Sequence, residues 1–224
     1  MQGSEPVTRS DLGELVADRL RERVLSGDLP PGHRLVETTI AHELGTSRGP
    51  VRDAIARLEV GGLVRVSPRR GASVVRLDAS DVEEIYSLRI ALEELAVRRA
   101  VDAGSNSDWE AMSLALDDLE IALDRGVQTE AARADLRFHR AIVAAARHRR
   151  LLRAWDAFAE QTLLILRQLA DADPSIQSSS GGHRTLLDAI VGGDRVLASA
   201  LLGDHLRAAR DALVASFRDG GTAR

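Results

Sequence analysis

Four of the six histidines of this chain lie beyond residue 130, and three of them fall where an imidazole should be hidden from water. Asp135 and His139 are four apart, one turn of a helix, and share a helical face with Leu136, Ile142, Val143 and Ala146. His183 falls among Leu186, Leu187, Ile190 and Val191. His205 falls among Ala198, Leu201, Leu202, Ala208, Ala209 and Ala212, opposite Arg207, Arg210 and Asp211. Three helices should therefore each aim imidazole or carboxylate into a core. A buried unpaired carboxylate is costly, and one divalent cation would satisfy all four groups together. Three imidazoles and a carboxylate suit zinc, nickel or a similar transition metal, not magnesium or calcium. Any one interior histidine is more simply a core residue bonded to backbone. Three on separate apolar faces, with an Asp one turn before the first, favour a metal.

A second constellation precedes these. Arg89 and Glu93 sit at i,i+4 on an apolar face with Val82, Ile85, Tyr86 and Ala96. A buried ion pair there is either structural or part of a ligand site. The third is electrostatic. Thr46 to Arg76 holds seven arginines against Asp53 and Glu59, a net of +5, in a chain whose net charge is −4. A compact basic segment in an acidic protein is a candidate nucleic-acid footprint. All 30 basic residues are Arg, which a GC-rich genome would explain without further cause.

The elements that must carry these groups are legible from periodicity. At 224 residues the chain suits one large domain or two small ones. It is 44% hydrophobic but only 3% aromatic, so Leu, Val, Ile and Ala must fill the core, which suits helices. No cysteine is present, excluding disulfides and thiolate metal sites. The polar start "MQGSEPVTRSD" has no signal-peptide core, and no apolar run reaches the roughly 20 residues of a membrane helix. A cytoplasmic protein is expected, with no membrane partner.

Leu12, Leu15, Val16, Leu20 and Val24 predict a helix over 10–26, capped by Ser10 or Asp11. "SGDLPPGHRL" breaks it. A short helix over 38–44 stops at Gly45, and Ser47 caps a third through about Leu58. "VGGLVRV" and "GASVVRL", joined by "SPRRG", read as a β-hairpin. Three helices and a hairpin in this order predict a winged helix-turn-helix over 1–78. Six helices follow, at about 79–103, 107–125, 129–147, 149–172, 178–191 and 194–217. The fold class is thus mainly α, with an all-α domain over 79–224.

In the third helix Val51, Ala54, Ile55 and Leu58 form an apolar stripe, with Arg48 and Arg52 beside it on one outward face. That suits a recognition helix, whose first turns reach base edges in the major groove. The guanidinium fork can take guanine O6 and N7 together, or grip phosphate. Ser47 and the free N–H groups at the helix start could bind phosphate as well. Arg69, Arg70 and Gly71 lie at the hairpin tip. The competing reading is a solvated basic face on an ordinary helix.

The stretch from Leu12 to Val75, with "PPG", "LGTSRGPVR", "ARLE" and "PRRGASV" in order, resembles the N-terminal domain of the GntR superfamily of bacterial transcription regulators. The resemblance implies operator contacts through Ser47, Arg48, Gly49, Pro50 and Arg52 in the recognition helix, and Arg70 and Gly71 in the wing. Some members use an arginine in a "PSER" segment. This chain has "LVETT" at 35–39 instead, so that contact does not carry over. "DLRFHRAI", "GGHRTLLDAIVGGD" and "ALLGDHL" resemble the all-α FCD effector domain of the FadR branch, in its shorter, VanR-like six-helix form. That resemblance implies a metal held by Asp135, His139, His183 and His205 at the floor of a ligand cavity, with Arg89 helping to bind a carboxylate effector. The family commonly has "GN" where this chain has Arg147 and His148, and His148 is expected to be exposed rather than a fifth ligand.

These readings converge on a homodimeric repressor of a pseudo-palindromic operator, controlled by a small organic or sugar acid bound at the metal. A metal-dependent hydrolase or lyase with a DNA-binding appendage is the alternative, since an open metal position could activate water. No obvious general base accompanies the ligands. A purely structural metal, with another protein as the trigger, is the third possibility.

Overall fold

The computed structural model describes residues 9–170 and 181–220, and the chain divides into two compact units between Arg76 and Leu77. The first unit opens with α1 (Arg9–Ser26), whose Val16, Leu20 and Val24 are buried while Leu15 faces solvent. Because Arg9 and Ser10 are already helical, neither Ser10 nor Asp11 stands at the cap position expected of them. After the Pro-Pro-Gly turn comes β1 (Arg34–Leu35), then α2 (Glu37–Glu43), α3 (Arg48–Val60), β2 (Val64–Ser67) and β3 (Gly71–Val74). The three strands are antiparallel in the order β1-β3-β2. β1 escapes sequence reading because two residues beside a turn have no period to detect. The α3 stripe is as expected: Val51, Ala54, Ile55 and Leu58 are all buried.

The second unit is six helices among the described residues: α4 (Ala79–Ala103), α5 (Asn106–Asp124), α6 (Gln128–Ala145), α7 (Arg149–Ala170), α8 (Gly181–Val191) and α9 (Arg195–Gly220). The break expected at "DADPSIQSSSGG" lies outside the described residues up to residue 180, as do the helix end expected at 172 and the helix start expected at 178, while Gly181 and Gly182 are helical rather than part of the break. Reciprocal capping boxes start α4 (Asp78 with Asp81) and α5 (Ser105 with Asp108), satisfying donors that would otherwise be orphaned. α4 packs along α9, and α5 along α6. The core is aliphatic around Trp155 and Phe138, with Met112, Leu116, Ile142 and Leu164 fully buried.

The junction of α6 and α7 differs from expectation. His148 is half-buried, and its Nδ1 accepts the Leu151 backbone N–H at 3.2 Å, so it caps α7. Arg147 before it has φ of 51°, the left-handed region that suits glycine. Its guanidinium pairs with Asp108 at 2.6 Å, which holds an otherwise unfavourable turn.

Candidate functional site

α6 turns Asp135 and His139 toward one point, α8 brings His183, and α9 brings His205. One ligand atom from each lies within 4.8 Å of every other. His139 and His183 are buried. His205 is half-buried, because Ala208 and Ala212 face solvent and the true buried face of α9 runs through Ala198, Leu202, Leu206 and Leu213. The imidazoles touch: His139 stacks on His205 with centroids 5.4 Å apart, and His183 meets His205 edge-on at 4.4 Å.

The polar atoms of this cluster do not satisfy one another. His139 Nε2 and both ring nitrogens of His183 are buried without a hydrogen bond. His183 Nε2 lies 3.0 Å from Asp135 Oδ1, but no N–H direction makes that approach a hydrogen bond. Orphaned nitrogens converging on a carboxylate are what four donors to one cation look like. Two of the four groups, His205 and Asp135, are held in the form that ligates. Burial pushes His205 down to about 3, and His139 and His183 beside it push the same way. Burial alone would raise the Asp135 pKa, but His139, His183 and Arg89 outweigh it and hold the carboxyl well below its usual range. A neutral imidazole and an ionised carboxylate are the forms that ligate. The donor set fits a transition metal.

Beside the cluster is a cavity of about 50 Å³, lined by Tyr86, Arg89, Asp135, His183 and His205 with aliphatic walls from α5, α6 and α9. Arg89 is fully buried, and its Nη2 has no partner. Burial opposes its charge, but Glu93 more than compensates and raises its pKa further. Its guanidinium carbon lies 4.9 Å from the Tyr86 ring centroid. Burial pushes the Tyr86 phenol up to about 12, so it stays protonated. The cavity therefore offers an unspent cationic donor beside the four ligand atoms.

Glu93 is more than the expected partner of Arg89. Its Oε1 accepts from Arg89 Nε at 2.8 Å and from Trp155 Nε1 at 2.9 Å, while its Oε2 lies 2.6 Å from His139 Nδ1. Burial would raise its pKa, but Arg89 and His139 hold it at about 2. Sequence reading missed the links to Trp155 and His139. The available signal was a carboxylate on an apolar face, which needs more partners than one arginine.

On the other unit Arg48 and Arg52 are exposed on α3 as expected, but they are not free. Glu37 of α2 reaches both, at 3.0 Å to Arg48 Nη2 and 2.9 Å to Arg52 Nη2. The Arg52 hydrogen bond lowers the Glu37 pKa; slight burial opposes this, and Arg48 adds to the lowering. Ser47 stands at the N-cap of α3, yet its hydroxyl makes no cap bond, so the expected capping is absent. Gly49 is half-buried, and Pro50 is buried on the packed face of the helix, so its ring is turned away from any ligand of the exposed side. Arg70 and Gly71 are exposed at the hairpin tip. Arg34 of β1, absent from the sequence reading, donates to the Arg70 carbonyl at 2.8 Å and braces that tip. Among the described residues no helix is long and apolar enough to cross a membrane.

Residues 12–74 match the model of the bacterial regulatory proteins of the gntR family, and residues 84–208 match the FCD domain. A probable D-xylose utilization operon transcriptional repressor of Paenarthrobacter nicotinovorans is 32% identical, covering 92% of this chain and 90% of its own. The uncharacterized HTH-type transcriptional regulator YdhC of Bacillus subtilis is 36% identical, the match spanning 60% of each chain. A crystal structure of a putative GntR transcriptional regulator from Rhodococcus sp. RHA1 superposes with a TM-score of 0.81 at 25% identity, over 91% of this chain and 97% of that one.

Proposed function

The chain belongs to the GntR family, with an FCD domain after its winged helix, and from that premise we propose that it is a metabolite-responsive repressor whose ligand is a small carboxylate held at a transition-metal site. It is a DNA-binding transcriptional regulator. The relatives it resembles bear regulator names, so the hydrolase or lyase alternative falls away. The repressor reading is supported by the name of the Paenarthrobacter relative, which shares nearly its whole length.

The observation that carries the effector reading is the cavity in which orphaned ligand nitrogens and the unpaired Arg89 Nη2 face the same space. Asp135, His139, His183 and His205 would hold a zinc or nickel ion. When bound, such an ion supplies a positive site for one carboxylate oxygen. Arg89 offers N–H donors to the other oxygen, and Tyr86 a hydroxyl donor. The aliphatic walls exclude water and strengthen both contacts. A cavity of about 50 Å³ favours a small acid, organic or sugar-derived, over a larger ligand.

On the DNA side, Arg48 and Arg52 would read bases or grip phosphate, the uncapped start of α3 at Ser47 and Gly49 would offer N–H groups to phosphate, and Arg70 and Gly71 in the wing would touch an adjacent groove. Two copies in a symmetric dimer would read a pseudo-palindromic operator. The ligand acts only if it binds one DNA-binding state better than the other.

The test is a titration of operator, selected from random DNA, with a panel of organic and sugar acids at fixed zinc or nickel. An acid that releases DNA from wild type and acts less on R89A supports the reading. Release by an acid equally from wild type and R89A refutes it.

A further inference from the structure

Glu93 is fully buried on α4, outside both the proposed metal ligands and the groups proposed to touch an effector. The donors around it fix what it can do. Arg89 Nε and Trp155 Nε1 always carry protons, so Oε1 accepts from both. An ionised carboxylate can only accept, so its Oε2, 2.6 Å from His139 Nδ1, requires the imidazole proton to sit on Nδ1. In the neutral ring that leaves Nε2 with its lone pair free. Nε2 is the buried nitrogen without a hydrogen bond, 3.8 Å from Asp135 Oδ1 on the side of the cluster.

We propose that Glu93 is the positioning residue of the site: one carboxylate selects the ring nitrogen that His139 offers to the metal, and aims Arg89 into the same cavity. This rests on reading the cluster as a metal site. The alternative is that Glu93 only neutralises a buried arginine, with no bearing on His139.

Gln at this position separates the two. Its amide has nearly the same shape. With the amide oxygen toward Arg89 and Trp155, both donors remain satisfied, and the NH2 then meets His139 Nδ1. That nitrogen must accept, which moves the ring proton to Nε2 and blocks ligation. The opposite flip would set NH2 against two obligatory donors, so the first orientation is the stable one. W155F removes one donor to the carboxylate without touching its contact with His139.

The experiment compares full-length wild type, E93Q, W155F and H139A. Zinc affinity is measured by competition with a chromophoric chelator, and the His139 tautomer of the metal-free protein by long-range 1H–15N correlation. Wild type should show a protonated Nδ1 and a bare Nε2. E93Q should show the reverse and bind zinc about 10–100-fold more weakly. W155F should keep the wild-type tautomer, with affinity within a few-fold. A wild-type His139 protonated at Nε2 overturns the proposal even where E93Q does not fold. E93Q with unchanged tautomer and affinity overturns it while H139A still reports a metal site. Zinc that binds wild type and H139A alike removes the metal reading itself, and the proposal with it.

Discussion

Arg48→Ala is the most direct probe of the proposed DNA surface. Arg48, Arg52 and Glu37 form a trio with net charge +1, since one half-buried carboxylate is shared between two exposed guanidiniums. Removing Arg48 takes that local charge to zero. It also leaves Glu37 to Arg52 alone, so the second arginine is held more firmly by protein and less available to DNA. A bidentate arginine contact to guanine is worth about 5- to 150-fold in discrimination against the wrong base. The loss for Arg48→Ala should lie in the upper part of that range because the two arginines are coupled through Glu37. The salt dependence gives a second number. If Arg48 also neutralises phosphate, the slope of log affinity against log salt should fall by about 0.9. The assay is fluorescence anisotropy with DNA selected from a random pool, against a scrambled duplex, at several salt concentrations. Arg70→Ala in the wing is the comparison, expected to weaken both duplexes alike. Wild-type affinity of Arg48→Ala for the selected DNA would refute the recognition-helix assignment, and an equal loss on both duplexes would reduce Arg48 to a phosphate contact.

Metal analysis of protein purified without chelator should find about one transition metal per chain, lost in His139→Ala and His183→Ala, with affinity falling in acid as the imidazoles protonate; equal occupancy in all three proteins would remove these residues from the site. Arg89→Ala should blunt release of DNA by an acid effector, whose coupling in wild type is expected at about 5–150-fold, while leaving operator affinity without effector unchanged; altered effector-free affinity would place Arg89 in the fold rather than the site. Asp108 carries the pH prediction. Burial opposes its ionisation, but Ser105 and Arg147 lower its pKa below 3.8, so its contribution is present above that value and is lost as pH falls through the folded pKa. Urea unfolding should therefore find Asp108→Asn destabilised at pH 7 and its deficit shrinking toward pH 3; a deficit independent of pH would mean the charge is irrelevant.

The elements were legible where their period was long. The helices of the second unit begin and end within a few residues of expectation wherever those ends fall among the described residues, because each carries apolar residues at helical spacing over several turns. What failed was local or relational. The pairing of β1 with β3 is a tertiary event that two residues cannot announce. Arg147 was marked only as a departure from the family's Gly-Asn. Its left-handed backbone explains why glycine suits the place, and Asp108 on α5 explains how an arginine is tolerated. Nothing near residue 147 points to a partner 39 residues away.

The candidate site shows the same division more sharply. Asp135, His139, His183 and His205 could be found one helix at a time, because each violates the apolar pattern of its own face, and the structure then brings their ligand atoms together. Glu93 violates its pattern too, but Arg89 one turn away supplies a sufficient local explanation and hides the rest. Its bonds to Trp155 on α7 and His139 on α6 depend on how three helices pack, which no single periodicity encodes. The asymmetry is physical. A ligand announces itself by being polar where the helix is apolar. A residue that orients a ligand can look like half of an ordinary ion pair, and only the geometry of the other oxygen reveals that it has a second task.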